Sequence, residues 1–428
     1  MDRILRGSFH TRQGNPFAHP EKEERKAVNA SLQALVVEDH VAMRSVVRKM
    51  LQQMRYFQLI DDASDGEEAW AKLANGNFDL AVSDVNMPRM DGIKLLKRCR
   101  THIELKGLPF LMISGESLPE WVASAGEWGA YDYIIKPFSY MDLKSRVDGI
   151  LEKLKDPEEL LFREMERRKA RGHARSVLER IDQLEHSVAS LKLKWLNLKG
   201  ECLMELGDME SAAVCFEKVM RVSDVFLAAY KNYATVHQNL GNIDKAVEAL
   251  EKVNCISPMD PDRKVTLGRL LLQAGRTDRG RSVLEGVLRT AAPEEKQGYR
   301  LSVAEVYLES GLYAEAEKLY LRALRSNPDS VEAYNRLGIA LRRQGKFQEA
   351  ERYYRLALTT RPNNPAIHYN LGVLHLNRQD VAEAVRSLKK ALELDPKFEK
   401  AEELLRATLR KQKETAGQDL LCSPGRPT

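Results

Sequence analysis

Apolar residues recur along this chain in two different rhythms. Between Gln33 and Leu154, short apolar runs alternate with stretches whose apolar positions fall three or four apart. The runs at 34–37, 57–60, 80–82, 109–113 and 133–135 predict five strands, because a brief continuous apolar run bounded by turn residues marks a strand buried on both faces. The stretches at 41–54, 66–74, 91–103, 118–128 and 139–154 predict helices; in the first, Val46, Val47, Met50 and Leu51 stand at helical spacing. Strands and helices in strict alternation predict a doubly wound five-stranded parallel sheet, with right-handed crossovers placing helices on both faces.

The second rhythm begins near residue 193 and has a period of 34. Gly200, Ala234, Gly268, Ala304, Gly338 and Gly372 put a small residue at one position of six successive units, with steps of 34, 34, 36, 34 and 34. Seven residues on stand Gly207, Gly241, Gly275, Gly311 and Gly345, then Gln379. Another small residue follows (Ala212, Ala246, Gly280, Ala316, Ala350, Ala384), then a larger one (Phe216, Leu250, Leu284, Tyr320, Tyr354, Leu388). Pro258, Pro328, Pro362 and Pro396 close four of the units. Small residues let two antiparallel helices approach, glycine makes the turn between them, and proline ends the second. These units resemble the tetratricopeptide repeat. The resemblance implies an all-α superhelix whose concave groove holds a protein or peptide partner, with Asn335, Arg342, Arg343, Tyr369 and Asn377 expected to line it.

The flanking segments complete a domain plan. Residues 1–30 are polar and aperiodic and predict a disordered extension; 33–154 form the α/β domain; 155–192 form a helical linker, charge-dense from 152 to about 175, where Arg163, Arg167, Arg168, Lys169, Arg171 and Arg175, interleaved with glutamates, predict a solvated helix face in preference to a nucleic-acid patch. Six repeats occupy 193–398, a capping helix 399–413, and a disordered tail 414–428.

The chemistry gathers at one sheet edge. In DLAVSDVNMPRMDG, residues 79–92, Asp84 follows a buried strand and stands where ligands collect in open parallel sheets. It is a candidate nucleophile or metal ligand; alone, it could equally be a helix-entry aspartate. Glu38 and Asp39 follow the first strand, Ser114 closes the fourth and Lys136 the fifth. Crowded carboxylates raise each other's pKa unless a cation neutralises them, and an oxygen-only set with room for a phosphoryl oxygen suits Mg²⁺. An aspartate there can accept a phosphoryl group as an acyl phosphate, with Lys136 and Ser114 holding its oxygens.

Over residues 33–154 the motifs VVEDH, SDVNMPRMDG, MISGE and YIIKPF resemble the response-regulator receiver domain of the CheY type, a flavodoxin-like fold. The resemblance implies that Asp84 is phosphorylated by a histidine kinase or histidine phosphotransfer protein. It also implies Mg²⁺ held by Glu38, Asp39, Asp84 and the backbone carbonyl of Asn86. Ser114 would move toward the phosphoryl group and Tyr133 follow inward. Asn86 and Glu116 occupy the positions controlling hydrolytic water, implying rapid loss of the phosphoryl group. Three features depart from the family pattern. Tyr131 replaces an acidic residue, which weighs against the family's symmetric dimer although Asp132 and Arg146 remain. Trp128 replaces a small residue, and Trp121 lies seven positions earlier on the same helix face; the pair is either core or a docking patch. Ser114 is serine where threonine is commoner.

Composition narrows the rest. A net charge of +5 on 428 residues gives no reason to expect a polyanion partner. Five cysteines without CxxC spacing support neither disulfides nor a zinc site, and the absence of a long apolar span or secretory signal predicts a cytoplasmic protein. The expectation is a response regulator without a DNA-binding domain, not an enzyme beyond its own phosphotransfer and dephosphorylation, whose output is protein binding. A constitutive scaffold and a phosphatase of another receiver are the rival expectations.

Overall fold

The computed structural model describes residues 32–115, 128–187, 192–293 and 295–421. The chain divides into two compact units, Met1–Asp260 and Pro261–Thr428.

The first unit opens with β1 (Leu32–Val37), α1 (Val41–Met54), β2 (Phe57–Ala63), α2 (Gly66–Asn75), β3 (Leu80–Asp84), α3 (Gly92–Thr101), β4 (Phe110–Ser114), β5 (Asp132–Ile135) and α4 (Tyr140–Lys153). The helix expected at 118–128 lies, but for its last residue, outside the described residues. All strand pairs are parallel and the order is β2-β1-β3-β4-β5, so the strand-helix alternation does fold as a doubly wound sheet. Continuous apolar runs are required because both faces are covered. Leu35, Val37, Ala81, Phe110 and Met112 pack with residues of α2 and α3, while Ala34, Val36, Val82, Leu111 and Ile113 pack with α1 and α4.

The expected linker is a packed element. α5 (Pro157–Ala170) and α6 (Ala174–Ser187) bury Leu161, Met165, Val177, Ile181 and Leu184 around Trp195 and Leu198. The apolar residues stand three or four apart among many charges, so the charge density concealed a buried stripe. The charges are also used: Lys169 pairs with Glu201 at 2.6 Å and Arg163 donates to the Gly107 carbonyl at 2.7 Å. Arg163 and Lys169 thus depart from the solvated face expected for this segment, whereas Arg167, Arg168, Arg171 and Arg175 are exposed.

Six helix pairs follow. Within the first unit they are α7 (Leu193–Glu205) with α8 (Met209–Val222) and α9 (Leu227–Asn239) with α10 (Ile243–Ile256). The second unit holds α11 (Pro261–Gln273) with α12 (Thr277–Thr290), α13 (Lys296–Glu309) with α14 (Tyr313–Ser326), α15 (Val331–Arg343) with α16 (Phe347–Thr360), and α17 (Pro365–Asn377) with α18 (Val381–Leu394). The small and large positions of the repeat meet each other. A Cβ on Gly338 would lie 2.4 Å from the Tyr354 ring, and one on Gly200 2.6 Å from Phe216. Both rings are fully buried, so the glycines are seats for them. The turn position is left-handed even where glycine is missing: Gly345 has φ 79° and Gln379 φ 63°. The last helix, α19 (Glu399–Leu421), runs eight residues past the end expected for it at 413, into the stretch expected to be disordered. No proline occurs between Pro396 and Pro424 to stop it.

Candidate functional site

Parallel register brings the predicted site together. Val37 pairs with Ser83, Asp84 with Ile113, and Ser114 with Ile135. The residues after β1, at the ends of β3 and β4, and after β5 therefore share one edge. Oxygens of Glu38, Asp39 and Asp84 lie within 4.8 Å of one another. Glu38 is 2% and Asp84 6% exposed, Ser114 is buried beside them, and Asp39 faces outward. Lys136 Nζ stands 2.8 Å from Glu38 Oε2 and 3.2 Å from Asp84 Oδ2. The turn after Asp84 explains its sequence. A Cβ on Gly92 would fall 2.0 Å from the Asp84 carbonyl oxygen, so only glycine closes there, while Asp91 caps α3 by accepting from Lys94 N at 2.8 Å.

Burial, then the neighbouring Asp84 charge, pushes the Glu38 carboxyl above its ordinary range, and burial likewise raises Asp84. Burial works against the Lys136 ammonium, but its hydrogen bond to Glu38 and the Asp84 charge outweigh it, so its pKa is raised and it stays charged. The Lys136 ammonium thus pairs with two of the three clustered carboxylates. The donor set is all oxygen, clustered and excess in negative charge, which fits a hard divalent cation such as Mg²⁺.

Other predicted residues fall around this centre. Asn86 is exposed on the loop after β3, and Tyr133 on β5 is 37% exposed. Glu116 and Trp121 lie outside the described residues. Trp128 is half-buried against the α2–α3 core and also lies under Lys231 of α9, so it is core and contact at once. Arg146 keeps its ion pair with Asp132 at 3.2 Å. In the repeats, Asn335 accepts from Asn370 at 2.8 Å, Tyr369 packs on Phe398 with ring centroids 5.2 Å apart, and Arg343 and Asn377 are exposed. Arg342 is half-buried, its charge acting on the buried Tyr354 phenol.

Two supports were not anticipated. Arg44 donates from Nη1 to the Glu38 carbonyl at 2.6 Å and from Nε to Asp62 at 3.0 Å, tying the acidic loop to α1 and β2. Asp65, fully buried, caps α2 and pairs with Arg89 of the loop after β3. The Arg44–Asp62 and Asp65–Arg89 pairs join residues 18 or more positions apart, and nothing in local spacing signals them.

Residues 34–148 match the family described as response regulator receiver domain. Residues 195–224 match the tetratricopeptide repeat, and 226–408 the tetratricopeptide repeat protein 21 C-terminal ARM domain. The chain is 41% identical over 127 residues to chemotaxis protein CheY-3 of Vibrio cholerae serotype O1, covering 30% of this chain and 97% of that protein. A structure of Vibrio cholerae chemotaxis protein CheY4 shares 34% identity, covering 28% of this chain and 99% of that one, with a TM-score of 0.27. A tetratricopeptide repeat protein from Parabacteroides merdae, 18% identical, covers 59% of this chain and 98% of its own, with a TM-score of 0.44.

Proposed function

Because this chain belongs to the response-regulator receiver family over residues 34–148, with tetratricopeptide repeats following, we propose that it accepts a phosphoryl group on Asp84 and signals through protein binding by its repeats. The observation that carries this is the buried carboxylate of Asp84 at the strand mouth, beside Glu38, Asp39 and Lys136.

The donor is a phosphohistidine on a kinase or phosphotransfer protein. An Asp84 carboxylate oxygen attacks phosphorus, the P–N bond breaks, and its electron pair leaves on the imidazole, which takes up a proton. Glu38, Asp39, Asp84 and the Asn86 carbonyl would hold Mg²⁺, which supplies positive charge against the phosphoryl oxygens. Lys136 leaves Glu38 to follow the new charge, Ser114 donates its hydroxyl to a phosphoryl oxygen, and Tyr133 moves inward from its exposed position. Asn86 and Glu116 govern access of water and make the acyl phosphate short-lived. Among the described residues no helix is long and apolar enough to cross a membrane, and a cytoplasmic site of action accords with such a relay. The repeats present Asn335, Arg342, Arg343, Tyr369 and Asn377 to a protein or peptide partner.

Affinity capture from native cells with wild type and Asp84→Asn, each with and without acetyl phosphate, tests the switch. Partners are expected whose recovery changes with acetyl phosphate in the wild type alone. Identical recovery in all four arms would make the chain a constitutive scaffold.

A further inference from the structure

β5 is short, and both its ends are committed. Just past its C-terminal end, Lys136 N donates to the Ser114 carbonyl at 2.7 Å and the Lys136 ammonium enters the acidic pocket. At the other end, Tyr131 N donates to the Phe110 carbonyl at 2.9 Å, so Tyr131 and Lys136 ride on the same pair of strands, roughly 16 Å apart along them. The Tyr131 hydroxyl leaves the sheet and donates to Glu159 Oε1 of α5 at 3.0 Å. The other oxygen of that carboxylate, Oε2, accepts from Lys194 Nζ of α7 at 2.7 Å. One carboxylate thus bridges the last receiver strand and the first repeat helix.

The surroundings hold this bridge in place. Arg100 donates to the Trp128 and Gly129 carbonyls at 3.2 and 2.8 Å, fixing the turn that leads into β5. Lys97 of the receiver and Lys231 of the second repeat both lie over the Trp128 ring, at 4.9 and 4.2 Å from its centroid. Beside Glu159 in sequence, the buried Glu158 accepts from Trp195 Nε1 at 3.1 Å, and Lys194 lies over the Phe162 ring. The identity of residue 131 follows. An acidic residue there could donate nothing when ionised and would set a like charge against Glu159, whereas a phenol, kept protonated by burial first and by Glu159, is a donor of the right reach.

We propose that Tyr131, Glu159 and Lys194 form a relay through which the state of the Asp84 pocket reaches the first repeat. The contacts are satisfied while Lys136 is paired with Glu38, so a displacement of Lys136 and β5 lengthens them and loosens α5 and α7 from the receiver. The relay rests on the phosphoacceptor role proposed above.

Amide hydrogen exchange of the full chain, with phosphorylation followed separately on a phosphate-affinity gel, tests it. Acetyl phosphate with Mg²⁺ is expected to speed exchange of 157–170 and 193–205 roughly tenfold in wild type and not in Asp84→Asn. Tyr131→Phe, which removes only the hydroxyl, is expected to show that gain without the phosphodonor; Glu159→Gln, which still accepts from Tyr131 but loses the charge that holds Lys194, gains in 193–205 alone. A chain that the gel shows to be phosphorylated, with exchange of α5 and α7 unchanged, overturns the relay and leaves the phosphoacceptor role standing. A chain that the gel shows to be unmodified overturns both. Unchanged exchange in Tyr131→Phe and Glu159→Gln also overturns the relay.

Discussion

Replacing Lys136 by methionine removes the ammonium that pairs with Glu38 and Asp84 while keeping its length and apolar stem. Its separations of 2.8 and 3.2 Å correspond to gross attractions of roughly 6 and 5 kcal/mol at an effective dielectric of about 20. Much of that is offset by the cost of burying the lysine, and the orphaned carboxylates limit the damage by taking up protons. Breaking a buried pair by removing one partner ordinarily costs about 3–5 kcal/mol. Lys136 is 19% exposed, so about 3 kcal/mol is expected for the receiver in chelator. Magnesium should return much of it: a ligand at 100 times its Kd contributes roughly 2.7 kcal/mol, and the variant's carboxylates no longer have an internal cation competing for them. Three of the four tryptophans, Trp70, Trp121 and Trp128, lie between residues 33 and 154. Urea denaturation followed by tryptophan fluorescence, in chelator and in saturating Mg²⁺, therefore reports on this domain. The variant should be the less stable in chelator and gain more from Mg²⁺ than wild type. Equal stability in chelator, or an equal Mg²⁺ gain in both proteins, would refute the charge balance drawn here.

Two further outcomes test the repeats. Gly286→Ala, where an added Cβ meets nothing within 4 Å, should stabilise α12 by about 0.5–1 kcal/mol. Gly338→Ala should instead destabilise α15 and α16 by about 1–2 kcal/mol, because overpacking against the Tyr354 ring, 2.4 Å away, exceeds the gain in helix propensity. Denaturation followed by far-UV circular dichroism reads both, and a stabilising Gly338→Ala would show that the ring is not seated on the glycine. His237 carries a pH signature. Burial, with Lys245 adding, holds its pKa below the ordinary 6.5, so the unfolded chain binds a proton that the folded one refuses. Its contribution is fully present above pH 6.5 and is lost as pH falls below that value and through the lower folded one. His237→Leu, the residue at this register in Leu203, Leu271 and Leu341, should flatten the fall in denaturation midpoint between about pH 7 and 5; an unchanged slope would count against it.

Much of the site could be seen in one dimension because parallel sheets convert sequence order into position. A strand-end residue in each of β1, β3, β4 and β5 must come to the same edge, so Glu38, Asp84, Ser114 and Lys136 were legible as a group. The repeat was legible for a similar reason, since periodicity multiplies a weak local signal: Gly338 or Tyr354 alone means little, whereas six aligned small and large residues describe a helix pair. Contacts between distant segments were not legible. Arg44 with Asp62 and Tyr131 with Glu159 depend on how elements pack, and neither pair has a spacing that announces it. The segment around α5 misled in a different way. Leu161 and Met165 are correctly spaced for a buried stripe, but the charges around them, such as Glu159, Arg163 and Lys169, form bridges to neighbouring elements where solvent contact was expected.

Asp84 is the phosphoacceptor in the function proposed above. The most direct test of that role is the stoichiometry of acid-stable, hydroxylamine-labile phosphate after incubation with acetyl phosphate and Mg²⁺, measured on wild type and Asp84→Asn. Wild type should take up at most one phosphoryl group per chain, lose it rapidly once the donor is removed, and take up none in chelator, and Asp84→Asn should stay unmodified throughout. Equal labelling of Asp84→Asn, or a wild type that remains unmodified with Mg²⁺ and donor in excess, would contradict the account.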